Sequence, residues 1–515
     1  MKKNLFILMM CGGLFACTNL DEDIYSSIKN EDFYQSERQV LASAGPAYVN
    51  LRAYTNPDSP WGLNTLTTDE MLIPTRGIHW YNGGIFQRYH RHEWTTSEGA
   101  FNASWTFIYS SINSCNRTLY QFSQLEEPSE TVTNIGYELR GLRAFYFFNA
   151  VDMFGNVPLV DRFDVPEGYA PENEDRKAVF DFTVGELNEI LPNLAAPGSD
   201  MYGRFHKMAA YATLAKLYLN AEVYTGQPMW DEAIAACDAI INSGLYSLQG
   251  DYFANFAKQN QGSTENIFVI PYSETLPTDW GSGGVPARSF QHHLWGIHFN
   301  GMKRFAGENG GWNGMCAVPS FYKSYDSTDI RRQIWLQGLQ TSTSGEILYC
   351  NQERAGEPLI YTADLTGLET AYENEGVRLA KYDYTAAKNF ELESDFAIFR
   401  YADILLMKAE ALMRKNGGMA PGEAVDLVNQ VRARAFPNMP EKLYTAGTLT
   451  LDAMLAERGW ELAGEGWRRN DLVRFGQYIR PWDFKEQASP QTRNLFPIPQ
   501  SQLNANPSLS QNPGY

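Results

Sequence analysis

The chain has 515 residues, 44% hydrophobic and 14% aromatic, and a formal net charge of −18. That apolar and aromatic content excludes a disordered chain, and the acidic surplus disfavours nucleic acid or anionic lipid held through the overall field. Of six cysteines, Cys11 and Cys17 lie near the N-terminus, and Cys115, Cys237, Cys316 and Cys350 are widely spaced with no Cys-x-x-Cys, so neither a zinc site nor a redox motif is indicated.

Residues 1–16 read as a secretory signal peptide. Lys2 and Lys3 precede the apolar run LFILMM at 5–10, which is too short to span a bilayer. The stretch Leu14-Phe15-Ala16-Cys17 resembles a bacterial lipobox, in which Cys17 becomes the lipidated first residue of the mature chain. The alternative is an ordinary signal cut near Ala16, leaving Cys17 a free thiol. Acyl chains on Cys17 make a durable anchor, since each buried methylene contributes roughly 0.8 kcal/mol. Asp21, Glu22 and Asp23 follow, and resemble the surface-export signal of lipoproteins in the Bacteroides group. That resemblance implies a lipid-anchored protein exposed on the outer face of an outer membrane. Loss of Lys2 and Lys3 takes the net charge to −20.

Beyond the leader, helical periodicity is predicted at about 98–123, 134–153 and 178–191. "KMAAYATLAKLYLNAEVY" and "MWDEAIAACDAIINSG" form a helical hairpin, with small alanines where the helices approach. From about 246 to 395 the pattern changes to Gly, Pro, Ser, Asn and Trp with short strand-like runs such as "NIFVIPY", a large insertion of structured loops. Helices resume in "RYADILLMKAEALMRKNG", where Ala402, Leu405, Leu406, Ala409, Leu412 and Met413 share one face and Gly417 and Gly418 stop the helix. "PGEAVDLVNQVRARA" follows as its antiparallel partner, then helices at about 448–464 and 467–478. The paired helices resemble tetratricopeptide repeats. The expected fold is mostly α, a tetratricopeptide-like helical-hairpin superhelix with a large loop-rich insertion containing short strands. Its regions are 17–245, 246–395 and 396–515. Glu457, Arg458, Glu461, Glu465, Arg468, Arg469, Asp471 and Arg474 place like charges one turn apart, which is unfavourable unless arginines lie between. They read as an internal ion network. The C-terminal "NPSLSQNPGY" cannot be helical, because Pro507 and Pro513 force extended or turn geometry; it is expected to wrap the surface, pinned by Leu509 and Tyr515.

Several of these stretches recur together in one family. "TTDE" at 67–70, "LRAFYFFNAVDMFGNVPLV" at 142–160, "FRYADILLMKAEAL" at 399–412, "VNQVRARA" at 428–435, "ERGWELAGEGWRRNDLVRFG" at 457–476 and the ending "LFPIPQSQLNANPSLSQNPGY" resemble the SusD/RagB family from Cys17 to Tyr515. The resemblance implies a non-catalytic glycan-binding lipoprotein. It would capture oligo- or polysaccharide, cap a SusC-like TonB-dependent outer-membrane transporter and use no cofactor. The superhelix would face the transporter and the loop side the glycan. Two other classes remain open: a surface glycoside hydrolase, which needs paired carboxylates roughly 5–9.5 Å apart, and a repeat scaffold that binds only protein.

Sugar rings have apolar C–H faces ringed by hydroxyls, so a binder presents flat aromatic side chains with amides or charged groups beside them. Trp105, Trp230, Trp460 and Trp467 lie in helical motifs and read as core; Trp61 and Trp94 read as structural, and Trp335 and Trp482 are undecided. Trp80, Trp280, Trp295 and Trp312 sit on glycine-rich loops, with Tyr81 beside Trp80. They are the candidate platform, Trp80 and Trp280 foremost; the bland alternative for each is a buried loop anchor. Asn82, Arg88, Asp279 and Asn313 are candidate hydroxyl partners. His90, His92 and Glu93 do not form H-E-x-x-H, so no metal ligand is assigned; no EF-hand loop is present, which leaves calcium at an irregular oxygen site undecided. Arg88, His90, Arg91 and His92 form a candidate cationic spot that would suit an acidic sugar.

Overall fold

A computed structural model describes residues 34, 36–272, 295–307, 311–385 and 394–515. The leader, Cys17, Asp279 and Trp280 lie outside the described residues. The longer helices are α1 (Glu37–Leu51), α2 (Gly99–Ser123), α3 (Glu130–Met153), α4 (Arg176–Ile190), α5 (Lys207–Leu219), α6 (Trp230–Ile241), α7 (Tyr401–Lys415), α8 (Gly422–Ala435) and α9 (Leu451–Leu462). Several of them start on a side-chain cap. Ser36 and Gln39 form a capping box at α1, Ser129 accepts from the Val132 amide, Asp175 from that of Ala178 and Thr450 from that of Ala453. After α7, Gly417 and Gly418 take φ of +65° and +89°, the left-handed region that glycine enters without strain.

Most helices pack on a neighbour in sequence, α2 on α3, α3 on α4, α5 on α6 and α7 on α8, while α9 returns to pack on α7. The stack does not break at the insertion, because α6 packs directly on α7. The mostly α, helical-hairpin architecture read from the sequence is therefore the one observed. Helix α3 is hemmed in on every side, and from Gly141 to Met153 each of its residues is buried. Helix α1 and the short helices Pro60–Leu66 and Ile85–Arg91 have no counterpart among the sequence expectations. Pro46 within α1 masks its helical signature.

The insertion is anchored by strand β1 (Asn266–Ile270) pairing antiparallel with β2 (Phe396–Arg400), so its two ends meet. Two-residue ladders join 71–72 to 316–317, 335–336 to 378–379 and 338–339 to 360–361.

The charged helix-rich segment is an internal lattice. Glu461 receives Arg331 at 3.1 Å, Arg400 at 2.7 Å and Arg434 at 2.6 Å. Glu457 pairs with Arg331 and Arg432, and Glu465 with Lys381 and Arg400. Arg458 and Arg474 share Asp471, Arg474 also takes Glu410, Arg468 holds Asp69 and Arg469 holds Asp152. The C-terminal segment wraps as expected: the Tyr515 hydroxyl donates to the Leu495 carbonyl and accepts from Trp94 Nε1, and Leu509 packs on the core. Cys115, Cys237, Cys316 and Cys350 are buried free thiols.

These buried groups set a pH dependence. Burial pushes His90, His206 and His298 down to about 4, and each is neutral in the fold. The unfolded chain takes up their protons first, so their contribution is lost as pH falls from about 6.5 to 4. Glu70, raised by burial to about 7, opposes them, as do Asp58 and Glu138, which burial also raises. Burial would raise Glu410, yet Arg474 and Arg414 hold it at about 2, so its contribution is lost only below about pH 4. Melting temperature should therefore fall between pH 6.5 and 4 and fall again below pH 4. Calorimetric scans against pH check this; a flat profile from pH 6.5 to 4 contradicts it.

Candidate functional site

The insertion and the loop after residue 76 build one aromatic cluster. The loop begins with a tight turn closed by Arg76 and His79, whose amides and carbonyls exchange bonds of 2.8 and 2.9 Å. Five of the next residues have positive φ: Trp80 at +66°, Asn82 at +43°, and Gly77, Gly83 and Gly84. For glycine this is permitted; for a bulky indole it is a strained backbone that the surroundings must hold.

Three contacts hold it. Trp80 Nε1 donates to the Trp312 carbonyl at 2.7 Å. The indole lies across Gly314, so closely that a Cβ there would sit 2.4 Å from Trp80 Cε2. Arg88 donates to the Gly83 carbonyl at 2.7 Å while forming a two-pronged ion pair with Glu98 at 2.6 and 2.9 Å. Below, the buried guanidinium of Arg76 donates to the carbonyls of Gly314 and Tyr372, and that of Arg378 to Asn313 Oδ1 and the Glu373 carbonyl. Burial, reinforced by Arg378, lowers Arg76 to about 9.

Trp295 completes the cluster. Its carbonyl accepts from the amides of Gly314 and Met315, which sets segment 295–297 beside 311–315. The ring centroids of Trp80 and Trp295 are 5.2 Å apart, those of Trp295 and Trp312 6.3 Å, and those of Trp80 and Trp312 6.5 Å. The planes tilt by 33–59°, so the rings form a faceted surface, not a flat one. Trp312 is 46% exposed and Tyr81 61%. Trp80 and Trp295 are half-buried beneath them. Such a surface accepts the C–H faces of a ring-shaped ligand.

The structure thus brings Trp80, Trp295 and Trp312 together, with Tyr81 and Asn82 exposed on the same loop. Two expected hydroxyl partners are otherwise engaged. Asn313 is buried and bound to Arg378, because its left-handed backbone turns the amide inward. Arg88 is taken by Glu98 and Gly83. The cationic spot does not form: His90 and His92 are buried, and burial holds both below their ordinary value. His298 is interior too; its Nε2 donates to Glu373 at 2.8 Å while Nδ1 accepts from the Asn300 amide. Trp61, Trp94, Trp105, Trp335, Trp467 and Trp482 are buried. Among the described residues no group of three or more His, Cys, Asp or Glu forms a metal-holding cluster. Sequence reading missed Arg76, Arg378 and Gly314, the residues that support the cluster from beneath. The proximity of Gly314 to Trp312 in "GGWNGM" was the available signal.

Two family models match the chain. One, described as SusD family, covers residues 264–515; the other, described as starch-binding associating with outer membrane, covers 20–219. The starch-binding protein SusD of Bacteroides thetaiotaomicron is 28% identical over 73% of this chain and 72% of its own length. SusD-like protein P2 of Formosa agariphila is 25% identical over 100% of this chain and 99% of its own. Among solved structures, a SusD superfamily protein from Parabacteroides distasonis has a TM-score of 0.74 at 21% identity, covering 93% of this chain and 99% of that one. Surface glycan-binding protein A from Bacteroides thetaiotaomicron in complex with laminarihexaose has a TM-score of 0.72 at 21% identity, covering 92% and 99%. At these identities the solved structures establish the fold alone.

The contact between Trp80 and Gly314 gives a stability prediction. Gly314→Ala forces the indole off its seat and should cost about 1–3 kcal/mol through overpacking. Gly83→Ala meets nothing within 4 Å, so only its positive φ of +65° is penalised, at about 1 kcal/mol. Denaturant titration checks the order; equal losses contradict it.

Proposed function

The chain belongs to the SusD family, and from that membership and the tryptophan cluster we propose that it is a glycan-binding protein of the outer membrane. It captures oligo- or polysaccharide outside the cell without cleaving it. It is anchored by lipid on Cys17 and caps a SusC-like TonB-dependent transporter, to which it passes its cargo. The observation that carries the binding half is the convergence of Trp80, Trp295 and Trp312, with Trp312 open to solvent at its outer edge. Trp280 and Asp279 belong to the same proposal through their glycine-rich sequence context, and Tyr81 and Asn82 through their exposure beside Trp80.

Binding without catalysis agrees with the relatives. The starch-binding SusD is named for what it holds, as is the laminarin-binding SusD-like protein that shares the fold at a TM-score of 0.73, 24% identity, and 94% and 100% coverage. The transporter partnership and the anchor rest on the family and on the lipobox-like stretch at 14–17. Two or three indole faces, less the cost of ordering ligand and side chains, give a micromolar to millimolar dissociation constant. That strength suits a receptor that must release what it holds.

Trp312→Ala removes the most exposed indole and should weaken glycan binding at least tenfold with the melting temperature nearly unchanged. Isothermal calorimetry with a glycan retained on an array reads this; unchanged affinity contradicts the site. Appearance of new reducing ends on incubation with that glycan would instead mark a hydrolase. Cys17→Ala should abolish incorporation of radiolabelled palmitate in cells; label retained on the variant contradicts the anchor.

A further inference from the structure

A second concavity lies apart from the tryptophan cluster. A hollow of about 430 Å³ is bounded by α9, the short helix Pro319–Lys323 and residues 468–480. Trp460, Ser320, Ser324, Gln477, Arg480 and Asp69 are among its lining side chains. A neighbouring hollow of about 390 Å³ shares Ser320 and ends on Phe484, with Lys323 and Asp364 on its wall. The two adjoin at Ser320, with Trp460 lining the first and Phe484 the second, and each is of a size that holds small ligands.

The walls are built. Trp460 Nε1 donates to Ser324 Oγ at 2.9 Å, which fixes the indole plane. Asp69 is buried and bridges Arg468 at 2.7 Å and Arg480 at 2.8 Å, leaving Arg480 45% exposed at the mouth. The second hollow ends on a turn, closed by Trp482 and Lys485 exchanging backbone bonds of 3.0 and 2.9 Å. Phe484 occupies the third position of that turn at φ +62°, where glycine belongs. The conformation is clamped from helix Ile85–Arg91: His90 Nε2 donates to the Asp483 carbonyl at 2.7 Å and Arg91 Nε to that of Phe484 at 3.2 Å. Asp483 in turn accepts from the Ser320 amide at 2.6 Å. Among the Phe, Tyr and Trp residues of the described chain, Trp80 and Phe484 alone have positive φ. Strain of this kind persists where the surroundings over-determine it, and it collects at binding sites.

The chemistry selects the ligand. The cations of the two hollows stand against carboxylates, Arg468 and Arg480 on Asp69 and Lys323 on Asp364. Asp452 and Asp483 add two further carboxylates to the lining, so it disfavours an anionic ligand, and its donors and acceptors at fixed spacing match hydroxyl groups. We propose that the two hollows form a second saccharide site, independent of the tryptophan cluster, which takes an uncharged oligosaccharide between Trp460 and Phe484. The choice of saccharide rests on the glycan-binding reading above. Two sites on one chain would let a long glycan be held at two points, raising its retention over a short one by effective concentration.

The test uses full-length mature protein labelled with 5-fluorotryptophan, with the Trp460 fluorine resonance identified by Trp460→Phe. The probes are laminarihexaose, maltohexaose, xylohexaose and mannohexaose. In the Trp80→Ala/Trp312→Ala protein at least one probe should shift the Trp460 resonance saturably. Phe484→Gly should weaken that response at least threefold while relieving the turn, so that the melting temperature does not fall by more than a few degrees. A Trp312 resonance that moves in the wild type while Trp460 stays fixed overturns the second site and leaves the first. Movement of neither overturns both. An equal Trp460 shift from glycerol or tetraglycine marks adventitious filling and also overturns the proposal.

Discussion

The structure turns on one buried carboxylate, Glu461, and the three arginines around it. Arg434 reaches it from α8, Arg400 from the end of β2 and Arg331 from inside the insertion. A single anion therefore ties the helical stack to both the edge and the interior of the loop region. Burial raises the cost of charging Glu461, but Arg434, Arg400 and Arg331 more than offset it and hold the carboxyl far below its ordinary value. Such a lattice contributes little compared with an apolar core of equal volume, yet removing one member leaves buried charges uncompensated, at about 3–5 kcal/mol. It fixes geometry more than it adds stability.

Fixed geometry is what the loops need. A stretch rich in glycine and without long strands has little to order it from within. Here its order is imposed from below: Arg76 and Arg378 spend their guanidinium groups mainly on backbone carbonyls, Arg378 also on Asn313 Oδ1, and Glu373 gathers the amides of Asn351, Gln352 and Arg354 as well as His298. The indoles rest on that backbone. Trp80 is held on Gly314 in a conformation it would not adopt alone, so the cost of ordering it falls on folding.

The helical frame was legible because it repeats. Alanines at close approaches, glycines after Lys415 and the alternation of Glu and Arg from 457 to 474 each carry a local signature, and the ion lattice was deducible from like charges that could not stand one turn apart. The family resemblance supplied the glycan. The candidate site was legible only in part. Tryptophans on glycine-rich loops pointed to Trp80, Trp280, Trp295 and Trp312; the convergence of Trp80, Trp295 and Trp312 depends on bonds between segments more than 200 residues apart, such as Trp80 to Trp312. Asn313 shows the limit: its neighbours in sequence are those of a loop-surface residue, and a backbone at φ +53° turns it inward to Arg378. The arginines that support the platform carry no pattern at all in the chain, since their partners are mainly carbonyls.

The central claim is that the indoles are set before the ligand arrives. Crystal structures of the protein free and soaked with a glycan selected on an array test it most directly. The account predicts sugar rings lying on Trp312 and its two neighbours, with the indoles displaced by less than about 1 Å between the two states. Sugar bound elsewhere with the cluster bare, or indoles that swing into place only on binding, would contradict it.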